Sequence, residues 1–399
     1  MTFELNNFLQ KEYLIKLGGN VLYTIMIFLI MLDPTNTLLG LKDISFILLV
    51  GYNIIFFKPN FSYLPHIILI FGVVLTCYVF AEMQMNRLDQ DMFFGVIKGF
   101  SPLVLLLWCN HYNVIKLMKW PTFLVCTIIT ILYILVISDE LIEIFVFNYV
   151  KSHGEMIMMT HRNFLGFEVF GMYYKSIISF IFSLYTFYYI IFNKKKKRIF
   201  NIIGAGIVSF AFAISGTRAT MLLPFAMIVM VSYKTVLGYK KMRYFIYPIL
   251  ALFVVMFLFV VFRLATQEGE ASNAIKYAHL DSYFSLFGEN PLYLILGQGP
   301  GSLFYSEGFN RWTAITEWTY FELLRNYGLL SIVIFIVLAL PLKTLWKHRE
   351  NDFHFGVMCS YVLYLMIAGT NPLLISSTGM IVVIAMYSYA HKLKTSIII

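Results

Sequence analysis

The sequence predicts an all-α polytopic membrane protein with about twelve transmembrane helices in a single transmembrane domain, residues 1–399. Hydrophobic residues make up 60% of the chain and charged residues only 13%. Apolar runs long enough to cross a bilayer recur from one end of the chain to the other. Lys and Arg cluster in alternate connections between these runs, which is typical of a multispanning protein.

Each apolar run has about the length that crosses a hydrocarbon core of ~30 Å at 1.5 Å per helical residue. The predicted spans are residues 17–33, 42–57, 63–81, 92–109, 120–138, 169–192, 199–214, 219–237, 244–264, 319–342, 353–370 and 374–390.

The distribution of charge predicts the orientation of these spans. Nineteen of the 30 Lys and Arg residues fall on one side, with only four of the 21 acidic residues. The positive-inside rule makes this side cytoplasmic, with both termini, and we expect an inner-membrane protein. The chain does not start with a basic segment, a short apolar core and a cleavage site, so we expect the first run to be retained as a span. The tract "KKKKR" (194–198) is typical of a topology anchor near anionic lipid headgroups.

The composition also argues against two kinds of site. The cysteines have neither metal-ligand nor disulfide spacing, so we expect ordinary buried thiols and no metal site. The net charge of +9 does not indicate nucleic-acid binding, because in a membrane protein the placement of basic residues matters more than their sum. The four cysteines are Cys77, Cys109, Cys126 and Cys359.

Three outward-facing segments are predicted: residues 138–168, the short turn "SGTRAT" (215–220) and the long segment 265–318. Connections as long as the last one are usually functional or disordered. This one contains many aromatic and apolar residues, so we expect a large periplasmic loop that folds on the membrane surface.

Arg218 is a charge within the otherwise apolar run "FAFAISGTRATMLLPFAMIVM". The turn signal before it, with Gly216 for backbone freedom, predicts two short spans joined by a recessed outer turn. An unpaired guanidinium in hydrocarbon costs several kcal/mol or more. Arg218 is therefore either an interfacial arginine that snorkels to headgroups or a phosphate site, for which its planar charged fork is suited.

Further polar groups flank this turn in the sequence. Arg162, at the mouth of the sixth span, is either a second phosphate contact or a rim charge. The segment "LILGQGPGSLF" looks like a phosphate loop, but it faces outward, away from the nucleotide pool. We therefore expect Gly297, Gly299 and Gly301 to form a turn that brings the loop back over an outward cavity.

Two carboxylates precede the tenth span. Glu322 is three residues from Arg325, so we expect these two side chains to pair. Glu317 has no partner nearby in the sequence. It is either a solvated rim carboxylate or, where burial raises its pKa, a general base.

The order of these features resembles that of the O-antigen polymerase and O-antigen ligase superfamily. In that family an Arg-containing turn of small residues joins two short spans. A long periplasmic loop follows one span later and ends in "G-x-G-x-G", and the next span opens with a polar residue about eleven before "G-L". The stretches "AISGTRATMLLPFAMIVM", "ENPLYLILGQGPGSLF" and "TEWTYFELLRNYGLL" match in order and spacing, roughly from Arg162 to Leu330.

The resemblance implies a GT-C-like glycosyltransferase that acts on undecaprenyl-diphosphate-linked oligosaccharides, donor and acceptor, at the periplasmic face. It implies no metal and no nucleotide cofactor, and it leaves open a chain-length regulator as a further partner. Arginines would hold the donor diphosphate, and a base would deprotonate an acceptor sugar hydroxyl. Fixed positive charge suits a diphosphate leaving group, on which negative charge develops.

Two departures from the family pattern bear on the assignment. In the ligase branch the polar residue before "G-L" is typically a histidine, whereas Glu317 stands here, which favours an O-antigen polymerase of lipopolysaccharide biosynthesis over a ligase. An arginine of the long loop is replaced by Lys276, which can attract phosphate but not grip it bidentately. Arg263 and Arg311 are alternative diphosphate contacts.

A lipid-linked oligosaccharide flippase is the alternative from outside the enzymes. Twelve spans suit a transporter, but the two halves of the sequence show no matching discontinuous spans, and the polar features concentrate in the second half.

Overall fold

A computed structural model describes the fold over most of the chain. The residues described are 2–37, 39–84, 87–152, 157–164, 167–193, 198–237, 271–369, 371 and 373–395. The predicted span 244–264 and the candidate phosphate ligand Arg263 lie outside these residues.

Helices account for most of the described residues, together with two short β-hairpins. The helices are α1 (Thr2–Leu32), α2 (Lys42–Phe56), α3 (Leu64–Met83), α4 (Gln90–Phe100), α5 (Val114–Ser138), α6 (Glu140–Ser152), α7 (Ile181–Asn193), α8 (Arg198–Ile214), α9 (Arg218–Leu237), α10 (Ala271–Glu289), α11 (Leu292–Leu296), α12 (Thr319–Tyr327), α13 (Ser331–Lys347), α14 (Asp352–Ala368) and α15 (Ser377–Thr395). The strands are β1 (Ile157–Phe164), β2 (Phe167–Tyr174), β3 (Phe304–Ser306) and β4 (Arg311–Thr313).

Side-chain caps fix several helix starts. Asp89 accepts a hydrogen bond from the backbone N–H of Met92 at 3.1 Å, at the start of α4. Asn113 caps α5 through the N–H of Lys116, and Asn351 caps α14. Such caps satisfy backbone donors that have no partner within the helix.

The described residues include five helical segments long and apolar enough to cross a membrane. They are Gln10–Leu32, Phe61–Met83, Gln90–Trp108, Val114–Ser138 and Thr319–Lys347. Four shorter apolar helices are Ile177–Phe192, Ile199–Ile214, Ala219–Val231 and Asp352–Ala368. The chain is therefore a mostly helical membrane protein, while the number of about twelve spans and the GT-C-like arrangement stay predictions.

Helix α15 is the core of this bundle. Every residue from Thr378 to Ala390 is buried, and the helix packs against α4, α5, α13 and the 3₁₀ segment Ser101–Trp108. A helix that is enclosed by protein on all sides can be apolar all round. By contrast, α2, α3 and α5 leave large apolar side chains such as Ile55, Ile68 and Ile131 exposed, as expected for surfaces in contact with lipid.

The prediction that residue 169 begins a helical span is wrong. Residues Phe167–Tyr174 form β2, which pairs antiparallel with β1, and the helical structure starts only at Ile177. The outward segment 138–168 also contains a helix, α6, in addition to β1. The chain is mostly helical, as predicted, with this hairpin and the short β3–β4 hairpin as its described strands.

The predicted span 319–342 is interrupted near its start. Gly328 has φ of 52° and ends α12, and α13 begins at Ser331. A Cβ on Gly328 would lie 2.4 Å from the carbonyl oxygen of Ile295, so the approach of α11 requires glycine here. Helix α12 thereby packs with the folded residues 271–318, which we call the outer segment, whereas α13 belongs to the apolar bundle.

The long loop is folded over residues 271–318, as predicted. It consists of α10, α11, the glycine-rich turn and the β3–β4 hairpin. Its own small apolar cluster centres on Tyr283, Phe287 and Phe304, and it packs against Phe321 and Leu324 of α12.

Candidate functional site

The "SGTRAT" turn joins α8 to α9 as the sequence predicts. Gly216 has φ of 67°, a conformation that other L-residues rarely adopt. Ser215 bonds back to the carbonyl of Phe212, and its hydroxyl also contacts that of Thr220. Arg218 is the first residue of α9, and its side chain lies outside the described part of the structure.

The β1–β2 hairpin packs directly against this turn. A Cβ on Gly216 would lie 2.9 Å from the Cα of Gly171 in β2, so the two backbones meet at glycine. Gly171 pairs with Thr160, and Arg162 stands two residues further along β1. At ~3.4 Å per residue, the backbone of Arg162 is about 7 Å along the strand from that of Thr160. The fold thus brings the backbone positions of Arg162 and Arg218 to one region; the side chain of Arg162 is also outside the described part.

Strand β2, which contains Gly171, also carries a tyrosine that is close enough to Glu317 to feel its charge. Tyr173, two residues after Gly171, is buried, and its hydroxyl has no hydrogen-bond partner in the described part of the chain. Burial raises the pKa of Tyr173, and the negative charge of Glu317 raises it further. The carboxylate of Glu317 therefore lies within electrostatic range of the Tyr173 hydroxyl.

Glu317 forms an ion pair with Lys276 of α10. Lys276 Nζ lies 3.5 Å from Glu317 Oε2, and the two side chains are 32% and 37% exposed. Trp318 also donates an indole hydrogen bond to the carbonyl of Lys276 at 3.0 Å, which fixes α10 beside residue 317. Glu317 is thus a half-exposed carboxylate with a cation beside it, not the buried carboxylate that one sequence-based interpretation required.

His279 lies one turn after Lys276 on α10 and was not identified from the sequence. Its ring is fully buried, its Nδ1 is 2.8 Å from Ser306 Oγ, and it packs edge-on against Phe309 at 4.4 Å. Its Nε2 is buried without a partner in the described part of the chain. The spacing of three residues between Lys276 and His279 is the signal that could have indicated a shared helix face.

Burial favours the neutral form of His279. Burial lowers the pKa of this histidine. The carboxylates of Glu317 and Glu322 oppose that shift, whereas Lys276 adds to it. A buried neutral imidazole with an unpartnered nitrogen is a group that can take up a proton.

Arg311 lies on the same small hairpin. It pairs with Ser306 in the β3–β4 ladder, and its guanidinium is 5.4 Å from the ring of Phe309. Arg311 is exposed. The β3–β4 hairpin therefore carries an exposed cation on a flexible side chain. Phe309 contacts both this guanidinium and the ring of His279.

Glu322 and Arg325 form the pair that the sequence predicts, and the pair is structural. Arg325 is fully buried, and its Nη2 lies 2.7 Å from Glu322 Oε2. All five of its N–H groups are used: they donate to Glu322 twice, to Gln298 Oε1 and to the carbonyls of Ser302 and Ala314. Because a guanidinium has only five donors, Arg325 has none left for a substrate phosphate.

The glycine-rich turn is held by this network. Gln298 donates its backbone N–H to the carbonyl of Arg325 at 2.6 Å. Gly297, Gly299 and Gly301 all have positive φ, of 77°, 96° and 85°. The segment is therefore a turn that closes the outer segment onto α12, as predicted, and its backbone N–H groups at 297–299 bond to protein carbonyls.

The described residues contain no group of three or more His, Cys, Asp and Glu that could hold a metal ion. Cys77, Cys109 and Cys126 are buried and Cys359 is partly buried, all as free thiols.

Comparison of the chain with protein-family models, with curated proteins and with solved structures found no match.

Proposed function

We propose that the chain is a glycosyltransferase of the O-antigen polymerase type, which joins undecaprenyl-diphosphate-linked oligosaccharide repeat units at the periplasmic face of the inner membrane. The observation that carries the proposal is the Lys276–Glu317 ion pair, whose charges act on His279 and on the Tyr173 hydroxyl of the β1–β2 hairpin that packs on the "SGTRAT" turn. We call Glu317, Lys276, His279 and Tyr173 the Glu317 cluster. A proton acceptor, a cation and an arginine-bearing turn are the groups that the transfer needs.

The reaction balances with these groups alone. An acceptor sugar hydroxyl attacks the anomeric carbon of the donor, and a new glycosidic C–O bond forms. The bond between that carbon and the diphosphate breaks, and undecaprenyl diphosphate leaves with the electron pair. The hydroxyl proton would pass to Glu317 or His279, and Lys276, Arg218 and Arg162 would offset the negative charge that develops on the diphosphate.

An apolar groove supports the lipid part of the proposed substrate. A groove of about 260 Å³ runs between α5, α6 and β1, with a lining that includes Ile129, Leu132, Phe145 and Val146. It reaches Tyr174, the residue next to Tyr173. Apolar surface favours apolar contact, so we expect a polyprenyl chain to occupy this groove. Because the groove reaches Tyr174 in β2, the diphosphate at the end of that chain would lie near the hairpin and the turn.

The test is polymer formation by the purified protein from synthetic lipid-diphosphate repeat units. We expect Arg218→Ala to lower the rate about a hundredfold or more, since removing one preorganised contact to a developing charge costs about 10²–10³. Arg349→Ala, at an exposed arginine after α13, is the matched control and should leave the rate unchanged. Unimpaired polymer from Arg218→Ala would remove the phosphate-site claim. Lipid movement with no new glycosidic bond would favour the flippase, and transfer confined to a lipid A–core acceptor would favour the ligase.

The pH profile distinguishes the two candidate bases. Glu317→Gln should lower the rate by about 10²–10⁴ if this carboxylate is the base. If His279 is the base, activity requires its neutral form. Its lowered pKa then keeps activity down to a pH below the ordinary value of about 6.5, and His279→Asn abolishes both the activity and that acid limb. Normal turnover by both variants would reject this cluster as the source of the base.

A further inference from the structure

A polar cavity lies at the face of the bundle that is predicted to be cytoplasmic. It has a volume of about 740 Å³ and lies among α1, α5, α8 and α15. We call it the lysine cavity after the four lysines in its lining, Lys16, Lys116, Lys119 and Lys392. Its size is within the ~300–1,000 Å³ range of small-molecule sites, so it holds more than a single ion.

The lining of the lysine cavity is cationic. No Asp or Glu is among the described residues that line it. Lys392 lies beyond the predicted span 374–390, and burial together with the ammonium groups of Lys16 and Lys116 lowers its pKa to about 8. These three lysines come from α15, α1 and α5, so the fold gathers like charges from distant parts of the sequence. Such a concentration of positive charge attracts anions.

One lysine points into the protein and not out to the headgroups. Lys119 Nζ donates to Asn201 Oδ1 at 2.7 Å, and Asn201 is only 2% exposed. The same ammonium lies 4.7 Å from the ring of Phe187. A lysine that serves only as a topology anchor does not need a buried hydrogen-bond acceptor and a ring contact, because its flexible side chain can extend to the membrane interface.

The N-terminus of α5 contributes positive potential to the cavity, whereas the C-terminal turn of α15 at Lys392 contributes the opposite sign. Lys116 and Lys119 lie in the first two turns of α5, and the positive end of the helix dipole is at that terminus. Asn20 and Asn113 add neutral hydrogen-bonding groups to the lining. Amide groups among converging ammonium groups suit an anion with several oxygen atoms.

We propose that the lysine cavity binds a phosphate-bearing anion, supplied either by an anionic lipid headgroup or by a free phosphate compound. The proposal is independent of the transferase activity, because the cavity and the Glu317 cluster share no residue. It assigns to the inner face a ligand that sits between α1, α5 and α15 and offsets the charge of their lysines.

Binding measurements with two probes test the proposal and distinguish the sources. Purified protein in phosphatidylcholine nanodiscs is titrated with inorganic pyrophosphate, and protein in neutral detergent is titrated with short-chain phosphatidylglycerol, with short-chain phosphatidylcholine as the uncharged reference. The cavity variant carries Lys16→Ala, Lys116→Ala and Lys392→Ala. The matched control removes the same charge outside the cavity, with Lys343→Ala, Lys347→Ala and Lys394→Ala.

We expect saturable binding of at least one probe, weakened about tenfold or more in the cavity variant and less than about twofold in the control. The probe that binds identifies the source of the phosphate. Absence of binding to both probes, or equal loss in the two triple variants, would overturn the proposal. If the cavity variant does not fold, the single change Lys116→Glu at an exposed side chain replaces it, with Lys343→Glu as its control and the same two outcomes.

Discussion

At the scale of single residues, the structure separates charges that hold the fold from charges that are available to a ligand. Arg325 is fully buried with every donor occupied, whereas Lys276 and Glu317 form a half-exposed pair. An exposed ion pair contributes little to stability, commonly about 0–1 kcal/mol, so substrate can displace it at small cost. The pairing of Lys276 with Glu317 is therefore compatible with a role for either group in binding.

The network of Arg325 makes a stability prediction. Removing one partner of a buried ion pair leaves an uncompensated charge and costs about 3–5 kcal/mol. We expect Arg325→Met to lower the melting temperature of the purified protein strongly, because Glu322 and the carbonyls of Ser302 and Ala314 lose their donor. Arg325→Lys should recover little, since an ammonium has three donors where five are used.

The control for this prediction is Arg349→Met, at an exposed arginine whose loss should leave the melting temperature nearly unchanged. The double change Glu322→Gln with Arg325→Met should be less destabilised than the sum of the two single changes, because it removes both buried charges. Equal melting temperatures for Arg325→Met and Arg349→Met would contradict the structural role.

Sequence reasoning found the local part of this constellation and missed the part made by tertiary contact. The Glu322–Arg325 pair follows from a spacing of three on a helix. The Lys276–Glu317 pair joins α10 to the second residue before α12, 41 positions away in the sequence, so only the docking of the outer segment creates it. His279 was overlooked because nothing near it in the sequence distinguishes a buried histidine from an exposed one.

At the scale of elements, the β1–β2 hairpin is the feature that the sequence did not predict. A strand buried on both faces is a continuous apolar run, which composition cannot tell from the start of a buried helix. Met172, Tyr173 and Tyr174 are all buried and lead directly into the helical segment that begins at Ile177. The position at which this apolar run changes from strand to helix depends on the pairing of β2 with β1. That pairing is a tertiary contact, so the apolar run alone does not show it.

The contact between this hairpin and the "SGTRAT" turn predicts the effect of Gly216→Ala. The new Cβ would lie 2.9 Å from Gly171 Cα, and the residue would be held at φ of 67°. Left-handed backbone costs an L-residue about 1–2 kcal/mol, and overpacking costs about 1–3 kcal/mol more. We expect a lower melting temperature and a lower polymer yield, because the turn and the hairpin must separate.

Gly206→Ala is the control for the turn. Gly206 lies within α8, and a Cβ added there would meet no atom within 4 Å. Alanine in a helix interior is more stable than glycine by about 0.5–1 kcal/mol, so this variant should keep or slightly raise the melting temperature. If the two variants behave alike, close packing of the hairpin on the turn is wrong.

At the scale of the whole molecule, the proposals assign the Glu317 cluster and the lysine cavity to opposite faces, in line with the charge asymmetry of the sequence. The Glu317 cluster belongs to the outer segment that folds over α12, and the lysine cavity lies on the other side, at the start of α5, the end of α15 and the middle part of α1. Helix α15 is enclosed throughout its middle and ends beside the lysine cavity at Lys392. Both assignments of face depend on the orientation that the basic residues predict.

That orientation is testable with cysteine labelling, because three of the four native thiols are buried and the fourth is partly buried. Tyr305→Cys places an exposed thiol in the β3–β4 hairpin, and Lys347→Cys places one at the end of α13. The excess of Lys and Arg near α13 and the C-terminus predicts that this end is cytoplasmic. In intact spheroplasts a membrane-impermeant maleimide should therefore label Tyr305→Cys, and it should label Lys347→Cys only after permeabilisation. Wild-type protein gives the background from Cys359. The reverse pattern would place the Glu317 cluster in the cytosol, where a periplasmic polymerase could not use it, and both proposals would have to exchange faces.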